Sequence, residues 1–261
     1  MHLHHHESIE RVRAFFEAIS SVQALLLGGS LAHGFESNTS DVDIMIIVDE
    51  DEYQERLKTE QVAFYNRELC TYPEGYVDGK YLSIEFLRKV AQQGSEPARF
   101  AFAGSQVLFA RVEGLPALLQ QIVRYPLEQK LYRITRFNAQ FEAWNWYAHE
   151  ALRLNNRYLL GVSVQKLALF GGRMVLAHNE LLYPYHKWFL RVLDGAPDKP
   201  ADLAARLREM IDQPGEKTVT AFYECVRNHR KWETAETGWP NLFELDSELN
   251  WLHGTTPVDD L

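Results

Sequence analysis

Two apolar runs, separated by a polar segment that begins with glycines, most constrain how this chain can fold. The first run, 22–27, stops abruptly at Gly28 and Gly29, and the second begins at Asp41 and continues to Val48. Runs of this length, bounded by turn residues, are typical of buried strands. We therefore predict two strands, with the polar motif between them at the edge of both.

The turn after the first strand has the composition of a phosphate-binding loop. Glycines let the backbone turn sharply and approach an anion closely, and successive backbone N–H groups in such a turn form a concavity for phosphate oxygens. Ser30 follows Gly29 and adds a hydroxyl group. An ordinary turn is the alternative, because Gly-Gly-Ser is also common in loops.

Asp41 and Asp43 open the second strand with one residue between them. Side chains two residues apart on a strand point to the same face, so the two carboxylates project together. Such a pair suits Mg²⁺, which binds a few carboxylates with substrate phosphates and water. Asp41 alone could be a turn acceptor, but Asp43 lies in an apolar run where an unpaired carboxylate would be costly. The combined pattern favours transfer of a group onto or from a phosphate chain.

A Gly-Ser pair followed after about ten residues by Asp-x-Asp, with Leu-Ala-His-Gly after the serine, resembles the signature of the DNA polymerase beta-like nucleotidyltransferase superfamily. The resemblance covers about the first 110 residues. It implies that Asp41 and Asp43 bind the catalytic metal ions. It also implies that Gly29 and Ser30 hold the nucleoside triphosphate.

The resemblance further implies a third carboxylate on a later strand beside the aspartate pair. Residues 79–87 read as a strand, which makes Glu85 the first candidate. Glu85 would either complete the metal site or act as the general base that deprotonates an acceptor hydroxyl. The alternative is an edge-strand glutamate that faces water. Asp78 is the second candidate, although Asp78-Gly79 is typical of a hairpin turn.

The formal net charge of −9 helps to distinguish nucleic acid from small cationic molecules as binding partners. Proteins that follow a nucleic acid backbone usually carry a basic face, and none is visible here. Arg124, Lys130, Arg133 and Arg136 alternate with apolar residues at helical spacing and indicate a solvated helix face. An acidic cleft would instead attract a small cationic molecule. The charge therefore favours a small, amine-bearing acceptor and argues against nucleic acid.

Composition also indicates the compartment. No apolar run approaches the roughly 20 residues that span a bilayer, and no segment resembles a signal peptide. Cys70 and Cys225 are the only cysteines in 261 residues, which is consistent with a thiol-reducing compartment. We therefore expect a cytoplasmic protein without a membrane partner. We assign no function to the histidine-rich start, residues 2–6.

The periodicity of the chain predicts two domains, 1–124 and 125–261. We expect an α+β domain with a mixed sheet, followed by an all-α helical bundle. The resemblance implies that the first domain is catalytic and that the bundle covers nucleotide and substrate. The first domain should contain helices over 8–19 and 50–67 and strands over 22–27, 41–48, 80–87 and 105–111. The second should contain helices over 162–182, 185–193, 201–211 and 216–229. Phe137, Phe141, Trp144 and Ala148 repeat at helical spacing and indicate a core stripe.

A segment of the helical half, residues 182–188, concentrates aromatic side chains and a cation around a proline. Small-molecule nucleotidyltransferases, which this chain resembles, use a helical domain to hold nucleotide and acceptor. The resemblance therefore implies that Lys187 contacts the triphosphate. The alternative is that Tyr185 and Trp188 pack the bundle while Lys187 lies in solvent.

These observations predict a Mg²⁺-dependent enzyme that moves a nucleoside monophosphate, AMP from ATP in the first instance, onto a hydroxyl group of a small molecule. Aminoglycoside-type acceptors are the nearest family analogy. Two alternatives remain: nucleotidylation of a protein or an RNA end, and a module that binds nucleotide without catalysis.

Overall fold

The computed structural model describes residues 1–254. The chain divides into two compact units, Met1–Arg124 and Tyr125–Leu261. The first unit combines a sheet with helices, and the second is helical in its described residues. The predicted fold class, an α+β domain followed by a helical region, is confirmed.

The first unit is organised around a five-stranded sheet with the order β3-β4-β2-β1-β5. The pair β2 and β4 is parallel, and the other pairs are antiparallel, so the sheet is mixed. The strands are β1 (Val22–Leu27), β2 (Val42–Val48), β3 (Ala63–Asn66), β4 (Val77–Ser83) and β5 (Gln106–Ala110).

Helices pack on both faces of this sheet because its central strands are apolar on both sides. On β2, Val42, Ile44 and Ile46 belong to one core cluster, while Met45 and Ile47 belong to the other. The helices of the unit are α1 (Leu3–Glu17), α2 (Gly29–His33), α3 (Glu50–Lys58), α4 (Ile84–Gln93), α5 (Glu96–Phe100) and α6 (Leu115–Ile122). The sheet therefore forms the middle layer of the unit.

Two element predictions in this unit were wrong. The helix expected over 50–67 ends at Lys58, and β3 follows it, because 63–66 pairs with β4. The strand expected over 80–87 instead begins at Val77 and ends at Ser83. The Ser83 hydroxyl accepts a hydrogen bond from the Phe86 N–H at 3.1 Å, which caps α4 and stops the strand.

The histidine-rich start forms the first turns of α1. The His5 side chain is fully buried, and the His4 carbonyl accepts hydrogen bonds from the hydroxyls of Ser8 at 2.8 Å and Thr71 at 3.0 Å. The Tyr72 ring contacts the rings of both histidines. This segment therefore anchors α1 to the chain between β3 and β4.

The second unit consists of helices in the part of it that the structure describes. They are α7 (Lys130–Arg153), α8 (Arg157–His178), α9 (Phe189–Asp194), α10 (Leu203–Asp212), α11 (Glu216–Arg227) and α12 (Trp239–Asp246), with short 3₁₀ turns at Leu127–Gln129 and Asn250–His253. Phe141 and Ala148, from the predicted stripe, are buried in the core of this unit.

The helix α8 is long and apolar enough to cross a membrane by length and composition, which is weak evidence because a buried core helix meets the same criterion. It lies in the core of this unit. A side chain at Gly171 would meet the rings of Phe141 and Phe222, and one at Gly172 would meet the ring of Phe189. The two glycines therefore let aromatic rings pack directly against the α8 backbone.

Candidate functional site

The Gly-Gly-Ser turn lies where β1 ends and α2 begins. Gly29 has a φ of +58°, in the left-handed region that favours glycine. The Gly28 N–H donates to the Asp43 carbonyl at 2.8 Å, which fixes the turn to β2. Ser30 is 4% exposed, and its hydroxyl oxygen has no hydrogen-bond partner. A buried hydroxyl without a partner is unusual and suits a site whose ligand would complete the hydrogen bond.

The carboxylate of Asp43 lies directly against Gly29. A Cβ atom added at Gly29 would come within 1.7 Å of Asp43 Oδ2. Only glycine leaves room for the carboxylate at this position. The glycine turn and the Asp43 carboxylate are therefore in van der Waals contact.

Asp41 and Asp43 flank Val42 at the start of β2 and are both half-buried. Their spacing places both side chains on the sheet face opposite Val42. The backbone before the pair is fixed as well, since the Tyr72 hydroxyl donates to the Ser40 carbonyl at 2.5 Å. The structure thus brings together Gly29, Ser30 and the two aspartates.

A third carboxylate, Asp78, is the direct neighbour of Asp43 on the parallel strand β4. Residues paired in register on parallel strands point to the same face, so Asp78 shares the face of the aspartate pair. Asp78 and Gly79 do not form the expected hairpin turn. Gly79 lies inside β4, where a Cβ atom would come within 2.8 Å of the Ile44 carbonyl oxygen.

Tyr76, just before β4, connects these carboxylates. Its phenol hydrogen-bonds to Asp41, and this bond, together with the negative charges of Asp41, Asp78 and Asp43, raises the pKa of Tyr76. The Lys80 ammonium is within electrostatic range of Asp43 and adds a positive charge on the same face of β4. Sequence reasoning missed both residues, although the alternation from Val77 to Leu82 was a usable strand signal.

Glu85 does not lie beside the aspartate pair, and its predicted placement on a strand was wrong. It lies in the first turn of α4, where it is 45% exposed and forms an ion pair with Arg88 at 3.4 Å. The register pairs Asp43 with Asp78 but Val48 with Ser83, so Glu85 follows the opposite end of β4. Five residues of strand separate the two ends by about 16 Å. A single metal ion cannot bridge that distance.

Lys187 belongs to the second unit, in the segment between α8 and α9. It is exposed, and its ammonium lies 5.2 Å from the centre of the Trp188 ring. The neighbouring Tyr185 is also exposed, with a φ of +64°. The role of Lys187 toward a triphosphate stays a prediction.

The residues around the turn fit a phosphate group and a hard cation. The buried Ser30 hydroxyl and the backbone N–H groups of the glycine turn suit phosphate oxygens, and the aspartates supply carboxylate oxygens. Within residues 1–254, no three histidine, cysteine, aspartate or glutamate side chains converge closely enough to hold a metal ion by themselves. Mg²⁺ needs only one or two carboxylates when substrate phosphates and water complete its shell.

Among the comparisons with known proteins, a family model agrees with this geometry. No curated protein matches the chain. Among solved structures, a nucleotidyltransferase-like protein from Exiguobacterium sibiricum 255-15 is similar at 12% identity and a TM-score of 0.46, over 97% of this chain and 82% of the other. The family model described as "Nucleotidyltransferase domain" matches residues 9–105. These residues, the greater part of the first unit, are thus identified as a nucleotidyltransferase domain.

Proposed function

We propose that this protein transfers a nucleoside monophosphate, AMP from ATP, to a hydroxyl group of a small molecule in a Mg²⁺-dependent reaction that releases pyrophosphate. The observation that carries the proposal is the contact between Asp43 and Gly29, beside the buried, unpartnered hydroxyl of Ser30. It supports a site in which the phosphates and the carboxylates act on the same reacting centre. The nucleotidyltransferase domain over residues 9–105 supports the same reaction class.

Each residue of the site has a proposed role. Gly29 and Ser30 hold the triphosphate through backbone N–H groups and the hydroxyl. Asp41 and Asp43 hold Mg²⁺, and Asp78 takes the position of third carboxylate in place of Glu85. When bound, Mg²⁺ would neutralise negative charge that develops on the phosphates. Tyr76 holds Asp41 in place through its phenol hydrogen bond.

The transfer itself is an in-line displacement at the α-phosphorus. The acceptor oxygen forms a bond to the α-phosphorus, and the bond from that phosphorus to the bridging oxygen of pyrophosphate breaks. The acceptor hydroxyl loses its proton, and Asp78, on the same face as Asp43, is the proposed proton acceptor. Pyrophosphate leaves with the electron pair of the broken bond.

The acceptor is proposed to be small, hydroxylated and cationic, with aminoglycoside-type molecules as the nearest analogy. The formal net charge of −9 supports a cation and disfavours nucleic acid. Lys187 is proposed to contact the triphosphate from the helical unit. A cytoplasmic location completes the proposal, since the reaction needs ATP and both cysteines are free thiols.

The test is a screen for pyrophosphate release from ATP and GTP with Mg²⁺ across hydroxylated amines, using wild type, Asp43→Asn and Asp51→Asn. Asp51 is an exposed carboxylate in the first turn of α3 and serves as the matched control. We expect Asp43→Asn to abolish transfer while its thermal unfolding stays cooperative, and Asp51→Asn to retain transfer. Undiminished turnover in Asp43→Asn would refute the proposal.

Two further assays separate the alternative functions. ATP labelled at the α-phosphate, incubated with cell extract, would label macromolecules if the acceptor were a protein or an RNA end. Tight ATP binding by calorimetry, with no product from any acceptor, would instead identify a nucleotide-binding module without catalysis.

A further inference from the structure

An open groove in the second unit is lined by aromatic side chains, and nothing in the proposed transfer reaction uses it. We call it the aromatic groove; its aromatic lining is Trp144 and Tyr147 of α7, Phe243 of α12 and Trp251 of the final 3₁₀ turn. Ser247, Glu248 and Asn250 complete the lining. Its volume of about 580 Å³ is ample for a small organic molecule.

Three of the rings are held in fixed mutual positions. The ring centres of Trp144 and Tyr147 lie 5.3 Å apart, and each lies about 6 Å from Phe243. The Trp144 indole N–H donates to Gln140 Oε1 at 3.0 Å, and the Gln140 amide donates to the Ser247 hydroxyl at 3.0 Å. Trp251 is 56% exposed. The groove is therefore preformed on one side and open to a ligand on the other.

The charge around the aromatic groove is negative. Asp246 is neutralised by an ion pair with Arg136. Glu248 lines the groove and has no ion-pair partner among residues 1–254. From Glu233 to Gly254 the sequence contains no lysine or arginine. A ligand in the groove would therefore meet aromatic faces and one uncompensated carboxylate.

We propose that the aromatic groove binds an organic ammonium ion. A cation over aromatic faces is attracted by their negative quadrupole, and the Glu248 carboxylate adds charge complementarity. A neutral apolar ligand would gain nothing from Glu248, and an anion would be repelled by it. This binding site does not depend on the proposed transfer reaction, and it would exist in a protein that transfers nothing.

The first test compares two probes of equal shape by calorimetry with the full chain. Choline carries a quaternary ammonium group, and 3,3-dimethyl-1-butanol replaces its nitrogen by carbon. We expect choline to bind about tenfold or more tightly than the neutral probe, as cation–π contacts and one carboxylate would give. Equal affinity for the two probes would overturn the proposal.

Replacement of lining residues tests whether choline binds in the aromatic groove. Trp251→Leu and Glu248→Gln, both at exposed positions, are each expected to weaken choline binding about tenfold. The matched control is Tyr158→Leu, an exposed aromatic residue of α8 that does not line the aromatic groove. Choline affinity that is unchanged in both groove variants would overturn the proposal, as would an equal loss in the control.

Two further outcomes would assign the groove to another occupant and so overturn the proposal. Removal of residues 255–261 could raise choline affinity more than tenfold, which would identify the end of this chain as the occupant. Sedimentation could instead show a wild-type dimer that Trp251→Leu converts to a monomer, which would identify a second copy. The pyrophosphate-release assay is independent of all these outcomes.

Discussion

Replacement of Gly29 by alanine tests the contact on which the candidate site is built. Alanine at a φ of +58° costs about 1–2 kcal/mol of folding free energy. The new Cβ would also lie 1.7 Å from Asp43 Oδ2, whereas ordinary contact begins near 3.4 Å. The turn or the carboxylate must therefore move by about 1.7 Å, the difference between these distances.

The expected consequence for activity is large. A misplacement of about 1 Å at a reacting centre can lower a rate about 100-fold. We expect Gly29→Ala to lose at least that factor in pyrophosphate release with Mg²⁺ and ATP. Its melting temperature should fall by a few degrees, since about 1 kcal/mol corresponds to a shift of about 2–4 °C in proteins of 150–250 residues.

Gly34→Ala is the matched control. Gly34 has a similar φ of +70°, but a Cβ there meets nothing within 4 Å. It should therefore show a similar loss of melting temperature with turnover retained. Equal activity of Gly29→Ala and Gly34→Ala would refute the argument that Asp43 keeps its working position only because Gly29 has no side chain.

Three further predictions follow from the same structure. Asp78→Asn should lower turnover by about 100-fold or more while Glu85→Gln, at the other end of β4, retains it; the reverse order in a steady-state assay would refute the reassignment of the third carboxylate. Gly172→Ala should destabilise the second unit by about 1–3 kcal/mol in urea unfolding, because its Cβ would lie 2.2 Å from the Phe189 ring. Gly161→Ala, with nothing within 4 Å, should instead stabilise α8 by about 0.5–1 kcal/mol, and equal effects would contradict the packing argument. Burial, aided by the hydrogen bond to Glu142, raises the pKa of Tyr223 to about 12, whereas an unfolded tyrosine titrates near pH 10. The contribution of Tyr223 to the free energy of unfolding should be complete below about pH 10 and lost as pH rises toward 12. Urea unfolding at several pH values should show this pH-dependent contribution in wild type but not in Tyr223→Phe.

Local sequence patterns predicted those parts of the fold that depend on local signals. The apolar run of β1 and the Gly-Gly-Ser turn after it were both visible, and β2 begins one residue after its predicted start at Asp41. The long periodic segments of the second half also form helices, as expected. In these regions propensity, turn chemistry and hydrophobic pattern agree with the final packing.

One error concerns residues whose environment is set by a distant strand, and the other concerns a local helix cap within an apolar run. Asp78-Gly79 has the composition of a hairpin turn, yet pairing with β2 holds both residues inside β4. Glu85 lies in an apolar run that resembles a strand, but the Ser83 cap begins a helix there. Single-sequence patterns do not show pairing across about 35 residues of chain, so the position of Asp78 beside Asp43 was not predicted.

The parallel pairing of β2 with β4 has a consequence for the chemistry at its edge. A slip of β4 by one residue would turn Asp78 to the opposite face, and a slip by two would place Lys80 beside Asp43. The second arrangement would replace neighbouring carboxylates by an ion pair, which would compete with a divalent cation for Asp43. Gly79 disfavours both slips of β4, because only a residue without a side chain fits against the Ile44 carbonyl. An alanine at this position would thus be expected to alter metal affinity through strand alignment, although Gly79 itself offers no ligand atom from a side chain.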